Sequence, residues 1–317
     1  MPSSLKGRDL LSLADLTPEE VQEVLDVAAQ FKRNPQKCQQ NAPLKGKAIA
    51  IIMQKPSLRT RVSFEVACAR LGAHPVVMTG GDSAFSRGEP INDTAQVLER
   101  FCDAIVLRTY EDAFIEEVAK YAHVPVVNAL TDMHHPCQGL ADLLTITEKF
   151  GTCKGLKLAY TGDGSNNMAH TYLLAGALTG MDISIATPLA YLPDAGVLTQ
   201  AKAIAQTTGA QLHVTQSVEA ALKDANIVMT DTFTSMGQEA EHDERLSVFL
   251  PYQVNASSMQ NAAENAVFMH CLPAHRGEEV TPEVIDGAQS IVYDQAENRL
   301  HAQQALLYLL LHERDSQ

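Results

Sequence analysis

Lys55-Pro56-Ser57-Leu58-Arg59-Thr60-Arg61-Val62-Ser63-Phe64-Glu65 stands between an apolar run, Ala48-Ile49-Ala50-Ile51-Ile52-Met53, and the apolar residues Val66, Ala67, Ala69 and Leu71. The run before it is short and rich in Ile, as a buried strand is. The residues after it follow a helical pattern. The hydroxyls and guanidiniums of the stretch therefore fall where a strand ends and a helix, expected near 61–71, begins. Such a junction suits a phosphate, because free backbone N–H groups and the positive end of the helix dipole face the anion. Ser57 and Thr60 can add hydroxyl donors, and Arg59 and Arg61 can add charge-assisted hydrogen bonds. A capped helix with a solvated basic first turn is the plainer alternative.

Outward from this stretch the pattern alternates. Strands are expected at 75–78, 104–107 and 124–128, and helices near 92–101 and 112–121. Residues 138–150 read as a helix bridging to a second unit, bracketed by Gly151 and Gly155. That unit repeats the alternation, with strands near 156–161, 182–186, 211–215, 226–230, 266–270 and 290–293. Short apolar runs between amphipathic helices imply parallel sheets covered on both faces. The expected class is α/β, two doubly wound parallel-sheet domains with the active site in the cleft between them, since ligands collect at the carboxyl ends of strands. Toward the N-terminus, Thr17-Pro18-Glu19-Glu20 carries a capping box with Pro at the first helical position. Ala302, Leu306, Leu307, Leu309 and Leu310 lie on one long C-terminal helix.

The length of 317 residues suits two domains. With 24 basic against 38 acidic residues the net charge is −14, which argues against nucleic acid or an anionic membrane as the main partner. No stretch approaches the ~20 apolar residues of a membrane helix, and no signal peptide is visible. Six scattered cysteines without a Cys-x-x-Cys read as reduced thiols, as in a cytoplasmic protein.

Polar residues recur at strand ends. Arg108 directly follows Ala104-Ile105-Val106-Leu107, as a site residue or an edge-exposed arginine. His134-His135-Pro136-Cys137-Gln138 opens the bridging helix, and adjacent histidines cannot both face one ligand. Cys137 is near, but no further ligands stand at metal spacing, so no metal site is expected. Gly162-Asp163-Gly164-Ser165-Asn166-Asn167 is a frayed G-x-G-x-x-G with Asn167 in place of the third glycine, which weakens a dinucleotide reading. Asn side chains there can bind a small carboxylate instead. Asp231 ends another strand, either as a cap or as the acceptor of a substrate ammonium. The run Glu239 to Arg245 reads as a solvated face. Cys271, in His270-Cys271-Leu272-Pro273, is a nucleophile or a buried thiol.

Taken in order, these motifs resemble the aspartate/ornithine carbamoyltransferase family, most closely its ornithine branch. Ser57-Leu58-Arg59-Thr60-Arg61 is similar to the family's Ser-Thr-Arg-Thr-Arg, and His135-Pro136-Cys137-Gln138 to His-Pro-x-Gln. Asp231…Ser235-Met236-Gly237 and His270-Cys271-Leu272-Pro273 resemble the two signatures of the ornithine branch. Asp294-Gln295-Ala296-Glu297-Asn298-Arg299 resembles its C-terminal motif. The likeness covers nearly the whole chain.

What the resemblance implies is transfer of a carbamoyl group from carbamoyl phosphate to the δ-amine of L-ornithine, giving L-citrulline and phosphate, without a cofactor. Residues 1–150 would bind carbamoyl phosphate, with the helix of about 297–317 packing back on them; 151–296 would bind ornithine. The phosphate would lie on Ser57, Leu58, Arg59, Thr60 and Arg108. Thr60 and His135 would polarise the carbamoyl oxygen, with Gln138, Cys271, Leu272 and Arg299 around the carbamoyl end. Leu272 would act through its carbonyl, with Leu272–Pro273 cis. Asn167, Asp231, Ser235 and Met236 would hold ornithine. Arg108, His135, Cys271 and Asp231 would be the catalytic residues, Cys271 and Asp231 orienting the δ-amine. A homotrimer, or a multiple of it, is implied. Three positions depart from the family pattern: Leu58 for Thr, Ala84 for Gln and Phe233 for Trp. Other readings are a sister transferase using putrescine or an N-acylornithine, a nucleotide-linked dehydrogenase, and a non-catalytic homologue.

Overall fold

The computed structural model describes residues 4–80, 85, 88–234, 237 and 239–312. It divides into two compact units, residues 1–144 with 297–317, and 145–296. The division falls inside a helix, six residues before the 150/151 boundary expected from the glycines.

The first unit opens with α1 (Pro18–Arg33), α2 (Pro35–Asn41), β1 (Ala48–Met53), α3 (Leu58–Leu71) and β2 (His74–Thr79). It continues through α4 (Ile91–Phe101), β3 (Ala104–Arg108), α5 (Asp112–Tyr121), β4 (Val126–Leu130) and α6 (Pro136–Phe150). Its sheet has the order β2-β1-β3-β4, every pair parallel. The direction of winding reverses between β1 and β3, and their carboxyl ends are in register, Met53 opposite Arg108. That is the switch point where a doubly wound sheet leaves a ligand crevice. β1 is buried along most of its length because both sheet faces are covered. β2 lies at the edge, where Pro75, with no N–H for the ladder, is tolerated.

The second unit runs β5 (Lys157–Thr161), α7 (Asn167–Thr179), β6 (Asp182–Ala186), α8 (Ala195–Thr208), β7 (Leu212–Thr215), α9 (Val218–Leu222) and β8 (Ile227–Thr230). Then come α10 (His242–Phe249), α11 (Ala256–Met259), β9 (Val267–His270), α12 (Pro282–Ile285) and α13 (Val292–Leu311). Its parallel sheet has the order β7-β6-β5-β8-β9, with the reversal between β5 and β8. The α13 residues from Glu297 onward belong to the first unit.

Local chemistry explains most boundaries. Thr17 caps α1 by accepting from Glu20 N at 3.2 Å, and Glu20 accepts from Thr17 N at 2.9 Å. α3 starts at Leu58, three residues earlier than the apolar pattern indicates, because Ser57 caps it and accepts from Thr60 N at 3.2 Å. β4 starts at Val126 and not Val124, after Pro125, whose carbonyl accepts from Ile105 N. The strand expected at 290–293 does not form. Ser290 makes one isolated bridge to Phe268, and the chain enters α13 at Val292. Ser290-Ile291-Val292-Tyr293 has strand-like propensity, but it finds only that single rung and the long apolar helix after it takes over.

Candidate functional site

Two groups of polar side chains lie at the carboxyl ends of the strands, one in each unit. In the first, Ser57 and Thr60 come from the start of α3, Arg108 from the end of β3, His135 and Gln138 from the start of α6, and Arg299 from α13. Arg299 Nη1 donates to Gln138 Oε1 at 2.8 Å, and its Nη2 donates to Thr60 Oγ1 at 3.4 Å. Gln138 Nε2 in turn donates to Asp142 Oδ1 at 2.8 Å. With its amide turned to suit its neighbours, Gln303 accepts from Arg299 Nη2 at 2.8 Å. Thr60, Arg108, His135, Gln138 and Arg299 are all buried. Buried guanidiniums are stable only when paired, so this network orients Arg299 before any ligand arrives.

His135 registers the positive charge. Burial first, then the Arg299, Arg108 and Arg59 guanidiniums, hold its imidazole well below the usual histidine range. It is neutral near pH 7, and a neutral imidazole can donate one hydrogen bond without bringing a further charge.

The two arginines of the opening stretch part company. Arg59 belongs to the field around His135. Arg61, which the residue types allowed as a further donor, points outward and binds Glu65 through Nε at 2.7 Å. Residues two apart on a helix face different ways. Leu58 is 75% exposed, so its side chain is turned to solvent. Lys55, given no role from sequence, is buried, paired with Asp132, and stacked 4.3 Å from the Tyr110 ring.

In the second unit, Asp231 follows β8 and Cys271 follows β9, neighbouring strands of one ladder. Cys271 Sγ donates to Asp231 Oδ1 at 3.2 Å, and Thr232 N donates to the same oxygen at 2.8 Å. Burial raises the Asp231 carboxyl above its ordinary range, against the lowering influence of the Cys271 and Thr232 hydrogen bonds. Such a carboxylate gains from a cation placed beside it. Asn167 is the first residue of α7, and Asn166, not Asn167, caps the helix by accepting from Met168 N at 2.7 Å. Ser235 and Met236 lie outside the described residues, as does Ala84.

Leu272–Pro273 is cis, as the resemblance implies. Leu272 N donates to His270 Nδ1 at 2.9 Å. The proton of that ring therefore sits on Nε2, which donates to Glu279 Oε1 at 3.2 Å. His270 and Glu279 are fully buried. Glu279 lies eight residues beyond Cys271, and nothing in residue spacing points to it.

The glycine-rich loop after β5 is occupied by the protein's own chemistry. Arg245 pairs with Asp163, donates from Nε to the Phe233 carbonyl at 2.7 Å, and stacks on Tyr191 and Phe249. The expectation of a solvated face up to Arg245 fails at that residue, which is buried. Phe233 is also buried, stacked on Phe249 at 5.4 Å.

Residues 8–148 match the family described as aspartate/ornithine carbamoyltransferase, carbamoyl-P binding domain; residues 154–310 match its Asp/Orn binding domain. The chain is 52% identical over 307 residues to an ornithine carbamoyltransferase of Anoxybacillus flavithermus, covering 97% of this chain and 98% of that one. It is 52% identical over 311 residues to that of Carboxydothermus hydrogenoformans, covering 98% and 100%. Among solved structures, ornithine carbamoyltransferase from Pyrococcus furiosus superposes with a TM-score of 0.94 at 50% identity, over 98% of this chain and 99% of that one.

Proposed function

The chain belongs to the aspartate/ornithine carbamoyltransferase family, and on that premise we propose how its residues divide the work. The reaction is transfer of the carbamoyl group of carbamoyl phosphate to L-ornithine, giving L-citrulline and phosphate. Ser57, Leu58, Arg59, Thr60 and Arg108 hold the phosphate, the first four at the capped start of α3. Thr60, Arg108 and His135 face the carbamoyl oxygen, and Gln138 and Arg299 brace that end. Cys271 and the Leu272 carbonyl serve the carbamoyl NH2. Asn167, Asp231, Ser235 and Met236 hold ornithine, with Asp231 and Cys271 orienting the δ-amine.

The neutral δ-amine attacks the carbamoyl carbon. A C–N bond forms, and the carbonyl oxygen takes up negative charge. Arg108, the neutral His135 and the Thr60 hydroxyl stabilise that oxyanion. The C–O bond to phosphate then breaks, the phosphate keeps the electron pair, and the proton given up by the amine nitrogen passes to the departing phosphate. No covalent bond to the enzyme is required. Catalysis is positioning plus preorganised electrostatics. The His270–Glu279 pair is a positioning device: Glu279 fixes the imidazole tautomer, and His270 Nδ1 holds the Leu272 amide.

The observation carrying this division is the Cys271–Asp231 hydrogen bond, which joins two strand ends into one acceptor for an amine. Citrulline formation measured side by side with ornithine, putrescine and N-acetylornithine tests it. Ornithine should be strongly preferred, and equal or better use of either other amine would overturn the assignment of Asn167 and Asp231. The family likeness also supports a homotrimer in the cytoplasm. Sedimentation at working concentration tests the assembly, and a monomer that is fully active would end that reading.

A further inference from the structure

Beyond Leu272 the chain brings together the side chains of His275 and Glu278 and the second carboxylate oxygen of Glu279, none of which the transfer reaction uses. His275 Nδ1 lies 3.9 Å from Glu278 Oε2 and 3.9 Å from Glu279 Oε2. One ligand atom from each of these three residues falls within 4.8 Å of the others. Outside this group, His242 Nε2 at the start of α10 lies 3.8 Å from the other Glu278 oxygen, Oε1, and its Nδ1 lies 3.3 Å from the Thr234 hydroxyl.

Two features set this cluster apart from a chance meeting of surface charges. First, Glu278 Oε2 and Glu279 Oε2 are buried atoms that lack any hydrogen-bond partner, and Glu279 is fully buried. The other Glu279 oxygen takes both available donors, His270 Nε2 at 3.2 Å and His275 N at 2.6 Å. A buried carboxylate oxygen left over in this way carries a desolvation cost that a cation would remove. Second, the separations of 3.9 Å are too long for hydrogen bonds but near the edge of a coordination shell. Nitrogen and oxygen ligands at about 2.1 Å from a tetrahedral ion lie roughly 3.4 Å from each other, a few tenths of an ångström less than the two His275–carboxylate separations.

We propose that His275, Glu278 and Glu279 form a binding site for a divalent transition-metal cation. Imidazole nitrogens with carboxylate oxygens suit the zinc class of ion better than calcium or magnesium, which favour all-oxygen shells. His275 is partly exposed, so an ion can enter from solvent. The site differs from the nearby Asp231, His270 and Cys271 group, which would bind through sulfur.

Titration of the metal-free full-length protein with Co2+ tests this. The expected result is one ion per chain, with visible ligand-field bands and no ultraviolet sulfur-to-cobalt band. His275→Ala and Glu278→Gln should each weaken binding on the order of tenfold or more. His275 is about half exposed at its side chain, 47%, so its replacement leaves the fold intact, and retained citrulline turnover without metal checks this. A sulfur-to-cobalt band, absence of bands, or unchanged affinity in both variants would each overturn the proposal.

Discussion

The two strand-end groups are built on the same sheet logic and carry opposite chemistry. The first surrounds a neutral histidine with Arg59, Arg108 and Arg299 and suits an anion. The second pairs a carboxylate with a thiol, Asp231 with Cys271, and suits an amine. In a chain of net charge −14 the first group is a local exception, and it is held by buried partners such as Gln138, which keep Arg299 in place. The difference teaches that a shared architecture fixes where ligands bind, and a few residues past each strand fix what binds.

The sharpest way to break the comparison is to remove one charge from each side. Arg59→Ala should lower citrulline turnover by about two to three orders of magnitude, because it removes a preorganised cation from the developing oxyanion and phosphate. Asp231→Asn should lower kcat/KM for ornithine by roughly a hundredfold while leaving carbamoyl phosphate binding by calorimetry within a factor of about two. If both substitutions weaken carbamoyl phosphate equally, the division between the groups is wrong.

The pH dependence sharpens it further. With a lysine-like reference of about 10.4, only about one δ-amine in a few thousand is neutral at pH 7. Turnover should therefore rise through pH 6 to 9 when chemistry is rate-limiting, and a flat profile would remove the free-amine step. Stability should move differently. His135 is neutral in the fold, with its folded value below the unfolded one of about 6.5. Its contribution is constant above that value, and it is lost as the pH falls and the unfolded chain takes up a proton the native site refuses. Denaturant midpoints should fall as pH drops below about 6.5, and His135→Gln should flatten that slope.

The smallest expected effect separates two neighbours. Arg61→Ala removes an exposed i,i+4 pair with Glu65 and should cost about 0.3–0.5 kcal/mol in urea melts, with turnover unchanged. A loss of turnover close to that of Arg59→Ala would place Arg61 in the anion site after all.

Much of the fold was legible because strand and helix periods differ and because caps are written in residue types. Thr17, Ser57 and Pro136 each stand at a helix start for a local chemical reason. The failures had tertiary causes. Ser290 to Tyr293 looked like a strand but met only one rung, and Arg245 looked solvated but found Asp163 across 82 residues.

By itself the sequence determined the alternation of strands and helices, the strand-end motifs, and through them the family. These depend on neighbours within a few turns of chain, where sterics, capping and burial patterns act directly. Only the tertiary structure decided that Arg299 reaches Gln138 and Thr60, that Cys271 binds Asp231, and that Glu279 stands between His270 and His275. Such contacts join residues far apart in the chain or around a loop of no regular period. Their stability comes from burial and mutual pairing, which no local pattern of residues encodes.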